Sequence, residues 1–357
     1  MNLFRCIADP FDDLEARLRV LYRRYQRFEF QNEQVIRGTL SPRFTGMEKS
    51  LAGALRSFPG RYSFERVGSE TYLTISAPTG AGRPQRWLLH GALFAATLLT
   101  TLWVGSLREA GSLMPTAGEL LLGVPFSGAV MLILLVHELG HFFAARHHGM
   151  DVSLPFFIPL PLMPFGTAGA VIRMRSPIFS RRQLLDLGAS GPIAGFLVCL
   201  PVLVAGLKLS SWVDVPPTFY TPGNSLLFSW LTHLVLGPPA EGQFLQISSL
   251  AFAGWVGLFV TAMNLMPIGQ LDGGHIGYAL FSRRHNRLAT ALFLVMLVLG
   301  WFWPGWLFWA FLILVFVQVK HPPIIDEQIG LDTGRKLIGL ACFVIFILTF
   351  MPMPFMI

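Results

Sequence analysis

Of the 357 residues, 53% are hydrophobic and only 13% are charged, and the mean hydropathy is +0.56. Soluble domains carry about 25% charged residues, so the composition excludes an all-soluble chain and describes a polytopic α-helical membrane protein with a smaller polar part. The net charge of +7 gathers in the N-terminal segment and a few short loops, which is a topology signal, and no aromatic-interleaved basic array suggests nucleic acid.

Residues 1–86 are polar, rich in Arg and without a spanning segment. They read as a small α+β cytoplasmic domain. The start is acidic and amphipathic, so neither a cleavable signal nor a plastid transit peptide is expected. Residues 12–25 read as a helix, with Leu14, Leu18, Leu21 and Tyr22 on one stripe. Residues 28–40 have strand character, residues 48–58 read as a second helix, and residues 62–76 alternate around Gly68 as a hairpin. A Gly/Pro linker at 78–84 leads to a first span at 87–107, with its following loop ending near 117. The second span covers 119–145. A protease core is expected over 118–280, with C-terminal spans over 281–357.

Within that core, residues 151–176 interrupt the spans. The first half is proline-broken and reads as a re-entrant or interfacial loop, allowed at depth only where it is buried or lines a wet cavity. The second half, 166–176, has β character. The third span, 184–207, carries small residues at 188–195 that let another helix approach closely. Residues 208–246 read as a long, nearly uncharged, non-cytoplasmic loop. A fourth span follows at 247–266, and shorter ones at 288–303, 306–319 and 337–350. That makes about seven spans at roughly twenty apolar residues per crossing. The cysteines Cys6, Cys199 and Cys342 are far apart and set up neither a disulfide framework nor a metal-type spacing.

The chemistry sits in the second span. His137-Glu138-Leu139-Gly140-His141 is an H-E-x-x-H motif within an almost wholly apolar run. On a helix, residues four apart share a face, so both imidazoles can reach one metal ion with Glu138 beside them as general base. Ionisable residues in a span are costly and functional by default. A second acidic motif follows the fourth span, at Asn264-Leu265-Met266-Pro267-Ile268-Gly269-Gln270-Leu271-Asp272-Gly273-Gly274-His275. The positive-inside reading runs both spans from outside to inside, so Asp272 and the H-E-x-x-H arrive on the same, cytoplasmic side. A break at Pro267 and Gly269 can turn the carboxylate back toward the bundle. Three ligands, His137, His141 and Asp272, with one open position describe a catalytic Zn2+ site, and Glu138 can take a proton from water there.

Secondary candidates surround that set. Gly166, Thr167, Ala168, Gly169 and Ala170 form a strip of small residues that can pair with an extended peptide, or can serve as a tight turn. Asn264 can bond substrate backbone or an oxyanion, or can act as a helix-terminal cap. His275 can line the site or be incidental. His147 and His148 read as interfacial, and His90 and His233 have no partner in the sequence. A reading from a different class keeps the same ligands in a membrane metal-binding protein or transporter without hydrolysis.

The paired motifs resemble the site-2 protease family of intramembrane metalloproteases, over about 127–278. The stretches SLPFFIPLP, GTAGAVIRMRS and ASGPIAGF are similar to the branch of the chloroplast ethylene-dependent gravitropism-deficient and yellow-green proteases and their bacterial relatives. That resemblance implies zinc on His137, His141 and Asp272, Glu138 as general base, an edge strand near 166–171 that holds substrate, and cleavage of transmembrane protein substrates within the lipid bilayer. No PDZ-like insertion separates the third and fourth spans, a departure from sigma-factor-activating members. The expected location is the plasma membrane, with the N-terminus and the site toward the cytoplasm.

Overall fold

The computed structural model describes residues 14–30, 33–55, 61–78, 85–161, 164–215, 221–324, 327 and 330–356. Cys6 and residues 79–84 of the Gly/Pro linker lie outside them. The chain divides into two compact units.

The first unit takes in the described residues up to Gln85 together with Ala145–Val152 and Met174–Pro177. It contains α1 (Leu14–Leu21), β1 (Tyr22–Phe30), β2 (Glu33–Leu40), α2 (Glu48–Leu55), β3 (Arg61–Val67) and β4 (Glu70–Pro78). The strands form one antiparallel sheet in the order β1-β2-β4-β3. Leu18, Leu21, Tyr22, Leu40, Leu51, Leu55, Leu73 and Ile75 are buried together between helices and sheet.

The helix expected over 12–25 stops at Leu21 and gives way to a strand. The register shifts between Tyr22 and Arg24. That bulge inserts an extra residue, so Tyr22 and Tyr25 both turn toward the core although they are three apart. A three-residue spacing of apolar side chains imitates helical periodicity, which is why the sequence pattern overruns the true helix end.

The second unit is mostly helical. It contains α3 (Trp87–Ala110), α4 (Ala117–Leu120) and all but the last turn of α5 (Val124–His147), then β5 (Phe156–Pro159), β6 (Thr167–Val171) and α6 (Arg181–Leu207). Next come β7 (Ser211–Val213), β8 (Thr221–Pro222), α7 (Leu226–Leu236), β9 (Phe244–Gln246) and α8 (Ser249–Leu265). The chain closes with α9 (Asp272–Phe281), α10 (His285–Leu299), α11 (Gly305–Leu312), α12 (Thr333–Thr349) and β10 (Phe355–Met356).

Among the described residues, three helical stretches are long and apolar enough to cross a membrane: Trp87–Ala110, Ala117–His147 and Arg181–Leu207. The chain is a mostly helical membrane protein. Helices also occupy the positions of the later expected spans, but α8 and α12 have 17 residues each and α10 has 15. At 1.5 Å per residue such helices reach about 25 Å or less, short of a hydrocarbon core of about 30 Å.

Residues 208–246 are not simply a loop. They contain α7 and the antiparallel pair of β7 and β9. Ser225 caps α7 by accepting from the Phe228 N–H, and Gly237 ends it at φ 75°. Those stop and start signals are present in the sequence; the intervening run of 11 residues is short enough to read as connection.

Helix α8 is the centre of the unit, buried on all sides. Small residues let α6 close on it. Gly206 meets the backbone of Ala251, and Gly254 meets the backbone of Leu203. Trp255, fully buried, donates from Nε1 to the Gly223 carbonyl at 2.8 Å.

Helix α12 is tied to α6 by a two-pronged ion pair. Arg335 Nε and an η nitrogen donate to the two carboxylate oxygens of Asp186 at 2.8 and 2.7 Å. Asp332 caps the same helix by accepting from the Arg335 N–H at 3.0 Å. That backbone bond, helped by the Arg335 side chain, holds the Asp332 carboxyl at about 2, below its ordinary 3.8. A carboxyl lowered by folding stabilises the fold above its unfolded value and stops doing so as pH falls toward its folded one. The stability difference between the parent and Asp332→Ala is therefore constant above about pH 5 and vanishes between about pH 4 and 2. Thermal unfolding in detergent across that range checks it. A difference unchanged at pH 2 would show that the carboxylate does not act through its charge.

Candidate metal centre

The triad assembles from one helix and the start of another. His137 and His141 lie one turn apart on α5 and both are buried. Helix α8 ends at Leu265, and the chain turns through Pro267 and Gly269 before α9 begins at Asp272. Gly269 has φ 56° and lies so close to the Gln318 carbonyl that a side chain there has no room. This break returns the Asp272 carboxylate to α5. Its Oδ2 is 3.4 Å from His137 Nε2 and 3.3 Å from His141 Nε2, and the two Nε2 atoms are 3.1 Å apart.

These three atoms suit a zinc ion. Zn–N and Zn–O bonds of about 2.0–2.1 Å in a tetrahedron separate neighbouring ligand atoms by about 3.3–3.4 Å, close to the triangle here. The tautomer also suits it. His141 Nδ1 lies 2.8 Å from the Leu187 carbonyl oxygen. A carbonyl can only accept, so the proton is on Nδ1 and the lone pair of Nε2 faces the other two ligands. Among the described residues, His137, His141 and Asp272 are the one group of three side chains able to converge on an ion.

Helix α6 forms the back wall. Its glycines stand where side chains would collide with the site. A Cβ on Gly191 would lie 2.1 Å from His141 Nε2, one on Gly195 would lie 3.1 Å from His137 Cβ, and one on Gly188 would lie 2.9 Å from His275 Cβ. Gly140 of α5 in turn lies against the Ser190 carbonyl. The small-residue stretch at 188–195 thus brings α6 to backbone distance of both the ligands and the helix that carries them. The sequence suggested close helix approach there; it did not indicate that the approach is to the histidines themselves.

Glu138 is buried beside the triad and lies near the Ile172 backbone. Ile172 follows directly on β6, which contains Thr167, Ala168, Gly169 and Ala170, with Gly166 just before it. Strand β6 pairs with β5, which occupies the region expected to be an irregular proline-broken loop. Among the described residues no strand pairs with the other edge of β6. Gly166 is pressed against the backbone of Thr100 and Thr101 on α3, which seats the hairpin. Asn264, near the end of α8, has its side-chain amide 3.2 Å from His137 Nε2, so it is at the triad.

Other histidines have local partners. His90 Nδ1 is 3.0 Å from the Pro155 carbonyl, and His233 Nδ1 is 2.7 Å from the Ser229 carbonyl. His275 is bonded to His321, with 2.8 Å between Nδ1 and Nε2. His321 has no signal in its neighbouring sequence; the contact across 46 positions becomes visible only in the fold.

Comparisons with known proteins point to zinc metalloprotease chemistry. Residues 125–302 match Peptidase family M50. The chain is 32% identical over 241 residues to the probable zinc metalloprotease EGY1, chloroplastic, of Arabidopsis thaliana, covering 64% of this chain and 43% of that protein. It is 31% identical over 230 residues to the probable zinc metalloprotease EGY2, chloroplastic, of Oryza sativa subsp. indica, covering 62% and 41%. It is 30% identical over 196 residues to the probable zinc metallopeptidase EGY3, chloroplastic, of Arabidopsis thaliana, covering 50% and 33%. The chain thus spans less than half the length of these relatives. No solved structure matches. The matched stretch 125–302 holds all three candidate ligands and Glu138, and the chain belongs to peptidase family M50, the family of the site-2 proteases.

Proposed function

We propose that the protein is an intramembrane zinc metalloprotease that hydrolyses peptide bonds in or near transmembrane segments of membrane proteins. The observation that carries this reading is the triangle of His137, His141 and Asp272 ligand atoms beside Glu138, set on a helix long and apolar enough to cross a membrane. A zinc ion on this triad supplies Lewis acidity and one open position for water or a carbonyl oxygen.

The chain's own residues do the rest. The Glu138 carboxylate takes a proton from the attacking water as the C–O bond forms. It returns that proton to the amide nitrogen as the C–N bond breaks, so it ends unprotonated. The Ile172 backbone, directly after β6, lies near that carboxylate. The open edge of β6 suits an extended substrate, because main-chain bonds hold any sequence and a strand conformation exposes the scissile carbonyl. A helical substrate segment must unwind to pair there. Asn264 can donate from its amide to the carbonyl oxygen as it gains charge.

In this reading about seven spans place the site and the N-terminal unit on the cytoplasmic side of a plasma membrane, as the loop arginines favour. The partners are a transmembrane substrate and the surrounding lipid, and the process is regulated intramembrane proteolysis. Expression of Glu138→Gln in the native cell tests the substrate class. Membrane proteins with a spanning segment should co-purify uncut. If only soluble proteins are trapped, the intramembrane reading fails. Metal removal gives a second test. A tight chelator should abolish cleavage by the purified protein, and added zinc should restore it. Cleavage that persists without metal would refute the mechanism.

A further inference from the structure

Residues 313–324 lie outside the stretch matched to the family, yet they brace the third ligand. Helix α11 runs into a π-helical turn at Ile313–Val317, and the next residue, Gln318, has φ 63°. A non-glycine residue in the left-handed region costs about 1 kcal/mol or more and persists where its surroundings demand it. π turns are likewise rare and cluster at functional sites. What these two irregularities achieve is visible in the next contacts. The Gln318 carbonyl is pressed on the Cα side of Gly269, and the Gly269 N–H donates to the Val319 carbonyl at 3.0 Å. Two left-handed residues thus face each other, backbone to backbone, at the turn that delivers Asp272.

The bracing continues along α9. His275 Nδ1 lies 2.8 Å from His321 Nε2, and His321 Nδ1 lies 2.6 Å from the Pro322 carbonyl. The carbonyl accepts, so His321 carries its proton on Nδ1, and the proton between the rings comes from His275 Nδ1. The Tyr278 ring stacks on His321 with 4.4 Å between centroids, and the Tyr278 hydroxyl donates to Glu327 at 2.7 Å. Asn286 holds His321 at both ends of its backbone, accepting from its N–H at 3.0 Å and donating to its carbonyl at 3.4 Å. His321 is itself buried. Asp272, His275 and Tyr278 occupy successive turns of α9, so a ring fixed against two of them fixes the helix whose first residue is the ligand.

We propose that His321, presented by the irregular turn at 313–318, is a positioning residue for the metal centre: it locks α9 so that the Asp272 carboxylate meets the two histidines. This rests on the zinc reading above, but not on the identity of any substrate. Outer partners that orient ligands typically matter by about 10–100-fold in metal affinity, and His321 belongs in that range.

The test is zinc affinity of the full chain in detergent, by competition with a chelator, in a Glu138→Gln background so that no cleavage is needed. His321→Ala should weaken zinc binding by about 10-fold or more with helical content unchanged. His321→Gln can still accept from His275 and should recover most of the loss. With Glu138 restored, His321→Ala should lower kcat and leave KM nearly unchanged. Parental zinc affinity in His321→Ala, or no recovery in His321→Gln, overturns the proposal. If His321→Ala does not fold, Tyr278→Phe is read instead. It keeps the stacked ring but loses the bond to Glu327, and it should show a smaller weakening; parental affinity there overturns the proposal equally. Failure of the parent to cleave anything would count against the peptidase reading and leave the affinity result standing.

Discussion

Glu138→Gln should bind zinc as the parent does and cleave about 100- to 10,000-fold more slowly, the range expected for loss of a general acid–base group. The side chain keeps its shape and its place beside the Ile172 backbone. What it loses is the ability to hold a proton between water and amine. The ligand atoms converge without it, so the metal should be unaffected. Zinc content and cleavage rate measured on one preparation check both halves. Near-parental cleavage would place the base elsewhere. Lost zinc would make Glu138 a ligand. The same variant separates the peptidase from a metal transporter built on the same triad, because transport has no need of a non-ligating carboxylate. Zinc flux in the parent, undiminished in Glu138→Gln and with no cleavage in either, would favour the transporter.

How legible each part of the site was depends on the distance over which its pattern is written. His137, Glu138 and His141 are within one helical turn, so spacing alone conveys their shared face. Asp272 is far along the chain, but its turn is marked locally by Pro267 and Gly269. The strip at 166–171 shows its small residues, and the structure adds a partner, β5, from a stretch whose prolines obscured its extended character.

Other features are written across the fold. The bulge at Tyr22 and Arg24 shifts strand phase and imitates a helix. Helix α7 is an apolar run too short to announce its own type. The His275–His321 contact joins side chains whose sequence neighbours say nothing of each other. Gly191 belongs to this class as well: a glycine among small residues suggests a helix contact, while the identity of the contacted atom is a tertiary fact.

That contact yields the sharpest expected loss outside the ligands themselves. Gly191→Ala adds one methyl group, whose carbon would lie 2.1 Å from His141 Nε2 and 2.5 Å from its Cε1. These distances are far inside contact, so something must move. Helix α6 cannot easily retreat. On one side Ser190 and Gly191 lie against Gly140 of α5, and on the other Gly206 and Leu203 lie against Ala251 and Gly254 of α8. The ring of His141 is the softer element, and turning it breaks the bond from Nδ1 to the Leu187 carbonyl and carries Nε2 away from Asp272. Alanine is about 1 kcal/mol more favourable than glycine within a helix, so the substitution does not weaken α6 by itself. The expected result is a folded protein with zinc affinity reduced about 100-fold or more, beyond the usual effect of an outer partner because a ligand atom is displaced. Gly128→Ala is the control, since a Cβ there meets nothing within 4 Å on the same helix as the two histidines; it should bind zinc as the parent does. Chelator competition on the two variants, with helical content as the measure of folding, decides the matter. Parental zinc affinity in a folded Gly191→Ala would mean that α6 does not stand against the ligand.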